Sequence, residues 1–388
     1  MARVLSAALR IFVATDSNPN PKGLAESSIW ERNLLDPLRD LGHEVIRFAY
    51  DLRPFSLHAN PAYPADRAWQ AQHRPRLEEE LLHQVRQRHN EHGLDLFFSY
   101  FWDAHATPGT IQTIRQLGIP TVNWFCNGSF QMHMVEQLAP AYDYCLVPEK
   151  FRLPDYRALG ANPIYFQEAA NPNFYRPLGL PRDIPVSFVG QCYGDRVNYA
   201  AALHRAGIPL STYGPNWVER AREDATLRRR WQRWGPVRSA REWSRRLRGK
   251  TVVRRDPVPA AVAHPPLSDE AMVALYSRSQ ISLGFSTCGD TDKGGGKILQ
   301  VRLRDMEAPM CGAFYLVERF DELAEFFEYG REIEGYSDEA ELVDKVRFYL
   351  RHDRERETIR AAGHRRALAE HTWQRRFSRL FKEIGLLP

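Results

Sequence analysis

The residues best suited to chemistry crowd into positions 288–297, CGDTDKGGGK, where Asp290 and Asp292 precede three consecutive glycines, Gly294, Gly295 and Gly296, and Lys297. Glycines let backbone N–H groups come close to an anion, and a lysine adds charge. A phosphate loop of the form G-x-x-x-x-G-K-[ST] fits poorly, since Thr291 stands where the first glycine belongs and Ile298 replaces the hydroxyl. Asp290-Thr291-Asp292 spells the D-x-D with which many sugar-nucleotide enzymes hold a divalent metal on a diphosphate, but it comes late in the chain. The favoured reading uses position. The loop leaves a strand, ISLGF, and enters a helix expected to begin near Lys297, so that the three glycine amides, the positive helix end and Lys297 hold a diphosphate without a metal.

The elements that must position this loop alternate along the chain. RIFVAT, HEVIRFAY, LDLFFSY, PTVNWFC, YDYCLVP and IYFQEA read as strands, with helices expected over ESSIWERNLLDPLRDLG, over RPRLEEELLHQVRQRHNEHG and over about 110–117. A Pro-rich segment, 171–185, suits a hinge. The alternation then restarts with strands VSFVGQ, PLSTYG, QISLGFS and AFYLVE, and helices DRVNYAAALHRAG, SDEAMVALYSRS, ILQVRLRDMEAPMCG and DEAELVDKVRFYLRH, before closing helices. This is the pattern of two parallel sheets covered by helices. Ligands in such sheets bind beyond the carboxyl ends of the strands. In the first half those ends carry Asp16, Glu26, Asp103 and His105 as candidate bases, Asp103 first because it follows a strand directly, and Asn127 as a positioning group.

Composition narrows the classes. A chain of 388 residues with 43% hydrophobic and 26% charged content is a globular protein of about two domains. No apolar run approaches the roughly 20 residues that cross a bilayer. Cys126, Cys145, Cys192, Cys288 and Cys311 are scattered and odd in number, which argues against a disulfide framework or a zinc site and fits a reducing cytoplasm. The net charge of +5 is unevenly placed: residues 228–255 hold twelve Lys/Arg against Glu242 alone, so the remainder is acidic. Trp217, Trp231, Trp234 and Trp243 lie in or beside that stretch, which reads as a solvated helix pair with buried Trp or as a face for an anionic acceptor or membrane surface; specific nucleic-acid binding is not expected.

The segment RDMEAPMCGAFYLVE resembles that of GT-B glycosyltransferases in which a helix carrying E-A-x-x-x-G leads into a buried strand. VSFVGQCYGDR, with Gly190 and Arg196, and STYGPNW, with Tyr213, Gly214 and Trp217, are similar to strand ends of the C-terminal domain in the CgeB-like, glycosyl transferases group 1 type, and the resemblance continues through the tail over about 185–378. It implies an α/β GT-B fold: two Rossmann-like doubly wound domains facing a cleft, an acceptor domain at 1–175, a nucleotide-sugar domain at 176–370, and a terminal helix, 371–388, returning to the first. It implies that Glu307 accepts hydrogen bonds from ribose hydroxyls. Without a metal, charge on the leaving diphosphate calls for cations and backbone amides, and Arg196, Lys297, Arg304 and the amides of Gly294, Gly295 and Gly296 are the candidates. The second glutamate of the related E-x7-E pattern is replaced by Leu299, so the stereochemical course is left open.

The expected activity is transfer of a sugar from a nucleoside diphosphate sugar, UDP first among them, with no cofactor and no Mg requirement. The acceptor stays open between an anionic polymer, a glycan, a small molecule and a protein. Two alternatives stand beside it: a nucleotide-sugar epimerase on the same scaffold, and a basic protein that binds nucleic acid or an anionic surface through 228–255.

Overall fold

The twelve strands among the described residues form two parallel sheets of six. The computed structural model describes residues 8–16, 27–60, 63–223, 225, 257–288 and 297–388. The chain divides into two compact units, the first made of Met1–Arg176, Ile298–Met310 and Arg365–Pro388, the second of Pro177–Lys297 and Cys311–His364.

In the first unit β1 (Arg10–Ala14), β2 (Glu44–Arg47), β3 (Leu96–Ser99), β4 (Thr121–Trp124), β5 (Tyr144–Val147) and β6 (Pro163–Tyr165) stand in the order β2-β1-β3-β4-β5-β6. Strands in a sheet covered on both faces read as continuous apolar runs, and LFFS in β3 and TVNW in β4 are buried at every position. The expected first helix is instead a π-helical turn, Glu31–Leu35, running into α1 (Asp36–Asp40). The charged helix α2 (Pro64–His92) begins ten residues before the expected RPRLEEE stretch and carries Pro75 inside it. Its buried Gln70, Leu77, Leu81 and Val85 recur at helical spacing on an otherwise polar surface. Then comes α3 (Pro108–Gln116).

In the second unit β7 (Ile184–Val189), β8 (Leu210–Tyr213), β9 (Ala263–His264), β10 (Ser279–Gly284), β11 (Tyr315–Glu318) and β12 (Glu334–Tyr336) stand in the order β12-β11-β10-β7-β8-β9. The helices α4 (Arg196–Arg205) and α5 (Asp269–Arg278) alternate with them, and Ser268 caps α5 by accepting from the Ala271 N–H. Each sheet has one place where successive strands depart in opposite directions, between β1 and β3 and between β7 and β10, and ligands bind there.

One expectation fails between β10 and β11. The helix thought to begin near Lys297 begins at Leu303, as α6 (Leu303–Met310). Its start is set by Asp305, whose carboxylate reaches back to accept from the Arg302 N–H at 2.8 Å. Lys297 is therefore not at a helix N-terminus. After Glu339–Tyr349, labelled α7, the last helix is α8 (Trp373–Glu383). It places Trp373, Phe377, Leu380 and Phe381 in the core of the first unit, at the i, i+4, i+7, i+8 spacing of a single face. Each such side chain contributes roughly 2–3 kcal/mol of transfer free energy. Among the described residues no helix is long and apolar enough to cross a membrane.

Candidate functional site

Beyond the carboxyl ends of β7, β8 and β10 the second unit brings together Gly190, Arg196, Tyr213, Gly214 and Lys297. The β7 and β8 ends are laced by backbone bonds from Gly190 N–H to the Tyr213 carbonyl at 2.8 Å and from Cys192 N–H to the Pro215 carbonyl at 2.9 Å. The indole of fully buried Trp217 donates to the Gly190 carbonyl. Glycine is required at 214, where φ is +145° and a Cβ would run into the Gly190 carbonyl group. At Gly190 a Cβ would meet the Phe188 ring at 2.6 Å and an Arg196 guanidinium nitrogen at 3.3 Å. The Tyr213 ring stacks on His264, with centroids 4.7 Å apart.

Arg196 opens α4 and is held from several sides. Its guanidinium donates to the Gln191 carbonyl at 2.9 Å and to the Tyr193 hydroxyl at 2.7 Å, and lies 3.9 Å from the Tyr193 ring centroid. A planar, always charged group suits such a fixed place, and it puts a permanent positive charge at the switch point of the sheet.

Lys297 pairs with Asp195 at 3.1 Å and with Glu318. Burial works against its charge, but the carboxylates of Glu318 and Asp195 outweigh that and raise its pKa, so it stays an ammonium. Glu318 is buried at the end of β11 and accepts from the Ser286 N–H at 3.0 Å and the Thr287 N–H at 3.1 Å, just past β10. An internal carboxylate thus occupies the amides that follow β10. Glu318 went unnoticed in the sequence although it ends the strand AFYLVE, and the rule that picked Asp103 would have picked it.

In the first unit Asp103 and His105 follow β3 as expected, but both are taken up by local structure. The Asp103 carboxylate accepts from the Leu138 N–H at 3.1 Å and the Gln137 N–H at 3.4 Å. Burial pushes its pKa up to about 6, against the pull of those two amides. His105 is 1% exposed, stacks on Phe101 at 4.8 Å and meets Trp102 edge-on at 4.2 Å. Burial lowers its pKa to about 3, so the ring stays neutral. Asn127 donates to the Tyr100 hydroxyl at 3.1 Å. Asp16 ends the described stretch after β1.

Arg304 and Glu307 lie on α6, the first half-buried and the second 1% exposed. Glu307 accepts from Asn33 at 3.4 Å, and Asn33 in turn accepts from the Trp373 indole at 3.0 Å and donates to the Tyr175 hydroxyl at 3.1 Å. Two further buried acids of this unit, Glu149 after β5 and Glu168 after β6, were not marked in the sequence. Glu26, Asp290, Asp292, Gly294, Gly295, Gly296 and the basic stretch 228–255 lie outside the described residues.

Residues 200–382 match a family described as glycosyl transferase-like. The match does not single out the CgeB-like subdivision. No curated protein matches the chain. Among solved structures, sucrose-phosphate synthase from Thermosynechococcus elongatus is 14% identical, with 97% of this chain and 99% of that one covered and a TM-score of 0.57. HepE from Anabaena, solved in complex with UDP and glucose, is 13% identical over 98% and 100% of the two chains, with a TM-score of 0.56. A glycosyltransferase from Rickettsia africae is 11% identical over 97% and 98%, with a TM-score of 0.54. At such identities the likeness is one of fold, and it is the GT-B fold.

Proposed function

From the match of residues 200–382 to a glycosyl transferase-like family and from the GT-B fold, we propose that the chain is a glycosyltransferase that moves a sugar from a nucleoside diphosphate sugar to an acceptor hydroxyl without a metal. The observation that carries this reading is the meeting of two cations, Arg196 and Lys297, with the tight backbone edge of Gly190 and Gly214 at the switch point of the second sheet.

Breaking the bond between the anomeric carbon and the diphosphate adds one negative charge to the departing group. Fixed positive charges that need no rearrangement stabilise that group more as it leaves than before. Arg196 is held in place by its carbonyl and hydroxyl acceptors, and the Lys297 side chain, 36% exposed, is within reach of solvent. A diphosphate there takes Lys297 over from Glu318 and Asp195, exchanging one anionic partner for another. Glu307 keeps the role of acceptor for ribose hydroxyls that the sequence resemblance implies. UDP is the nucleotide proposed first, as the one held by the solved HepE.

The test is a thermal-shift panel of UDP-, GDP-, dTDP- and CDP-sugars with EDTA and with Mg²⁺. A ligand at 100 times its dissociation constant stabilises by about 2.7 kcal/mol. The reading requires a shift with at least one nucleotide in EDTA. No shift with any of them refutes it, and a shift seen only with Mg²⁺ refutes metal independence. The same incubations, analysed for the sugar, separate a transferase from an epimerase, which converts the donor with no acceptor present.

A further inference from the structure

Past the carboxyl ends of β5 and β6 the first unit buries a group of acids. Glu149 and Glu168 come from the loops after those strands, and Asp305 and Glu307 from α6; their exposures are 2%, 6%, 1% and 1%. Glu149 accepts from the Ser129 N–H at 3.1 Å, Asp305 from the Arg302 N–H at 2.8 Å, and Glu307 from Asn33. The Glu168 Oε2 is buried and has no hydrogen-bond partner among the described residues. A buried carboxyl oxygen left bare is costly in a folded protein, and a substrate group that would occupy it accounts for its presence.

The position is the one an acceptor-side base needs. It lies on a loop at the carboxyl edge of a parallel sheet, and Asp103 and His105 are engaged elsewhere. Taking the sugar-transfer reading as given, we propose that Glu168 is the catalytic base that receives the proton of the acceptor hydroxyl. The acceptor O–H bond breaks and its proton goes to the Glu168 carboxylate. The freed oxygen pair forms the bond to the anomeric carbon, while the bond from that carbon to the diphosphate breaks and its electron pair leaves with the nucleoside diphosphate.

The surroundings suit the role. Burial first, then the charges of Glu307, Asp305 and Glu149, push the Glu168 pKa well above the usual carboxylate range, with Arg302 opposing. The other titratable groups that feel it, Tyr100 and Cys126, are themselves pushed well up, by burial above all, and stay neutral. A carboxylate released under such conditions is a far stronger base than an exposed one, and the rate must rise with pH as Glu168 ionises.

The experiment uses the full chain with UDP-glucose as donor and water as acceptor. UDP release is followed for wild type, E168Q and E168D across about pH 5 to 9, and UDP affinity is measured by calorimetry. E168Q replaces one of several crowded acids by a neutral group of the same shape, so its melting temperature should match or exceed that of wild type. The expected result is UDP release down by about 100-fold or more in E168Q with UDP affinity within about twofold, a rising pH limb in wild type that E168Q lacks, and partial recovery in E168D. E168Q turning over like wild type, or losing UDP affinity along with rate, overturns the assignment while leaving the donor reading intact. Wild type that binds UDP but releases none from UDP-glucose also counts against it, because a base poised for a hydroxyl would activate water. A wild type that binds no nucleotide overturns both readings.

Discussion

The indole N–H of Trp217 donates to the carbonyl of Gly190 at 2.7 Å, so a side chain beyond β8 fixes the backbone at the end of β7. Gly214 lies between them in sequence and fits only because it has no Cβ. The backbone edge proposed for the diphosphate is thereby set by packing and does not depend on a ligand to form it. Replacing Gly214 by Ala should destabilise the protein by at least about 2 kcal/mol, through collision with backbone that has little freedom to shift. Trp217→Phe should cost about 2–3 kcal/mol, from the smaller ring and the orphaned carbonyl. Chemical denaturation of both variants checks this. An unchanged midpoint for Gly214→Ala would show that the edge is not as tight as drawn.

Lys297 is held as a cation by Glu318 and Asp195, and those partners make two substitutions informative. Lys297→Met removes a charge-assisted contact to the diphosphate and should weaken UDP at least about tenfold, with no rescue by Mg²⁺. Glu318→Gln leaves the lysine with Asp195 alone. It should weaken UDP far less than Lys297→Met does, at the cost of stability as the Ser286 and Thr287 amides lose a charged acceptor. Calorimetric UDP binding to both variants decides. Equal losses would mean that Glu318 itself touches the ligand.

The alternation of strands and helices was legible because a strand buried on both faces reads as an unbroken apolar run, as in LFFS or YLVE, and the switch points follow from strand order once the order is known. The order itself was not legible, and it is what gathers Gly190, Arg196, Gly214 and Lys297 at one edge. The helix start was misplaced because three glycines and a lysine look like a helix entrance, whereas the deciding contact is a short-range one, Asp305 to the Arg302 N–H. Asp103 and His105 were well chosen by position, but sequence says nothing of whether a side chain is consumed by nearby amides or by ring stacking. Glu149, Glu168 and Glu318 escaped for the opposite reason. Single glutamates in VPEK, FQEA and LVE carry no periodic signal, and only burial sets them apart.

Asp103 and His105 should mark the protein's stability with opposite pH slopes. Asp103 has a folded-state pKa raised to about 6, so its contribution is full below the ordinary aspartate value and is lost as pH rises through about 6. Asp103→Asn should remove a loss of about 3 kcal/mol between pH 4 and 7. His105 has a folded-state pKa lowered to about 3, so its neutral form stabilises above the ordinary histidine value and that stability is lost as pH falls from about 6.5 toward 3. His105→Phe should flatten the acid limb. Denaturation midpoints at several pH values, for both variants and wild type, test the two slopes separately, and parallel curves for wild type and variant would rule out the corresponding group.

Glu307 offers the sharpest test of how a nucleotide is recognised. A carboxylate with two acceptor oxygens can take both hydroxyls of a ribose, and hydrogen bonds to a charged acceptor are worth about 1.5–3 kcal/mol. Asn33 already donates to one of those oxygens at 3.4 Å, a long bond that a ribose hydroxyl can outcompete, and Trp373 and Tyr175 hold Asn33 in place. Wild type should therefore bind UDP about tenfold or more tightly than 2′-deoxy-UDP. In Glu307→Gln, which keeps one acceptor oxygen for Asn33 and turns the other into a donor, UDP should weaken to near the deoxynucleotide's affinity and the difference between the two should shrink to about twofold or less. If Glu307→Gln keeps the full preference for the ribonucleotide, another group reads the ribose, and the buried carboxylate at 307 serves the packing of α6.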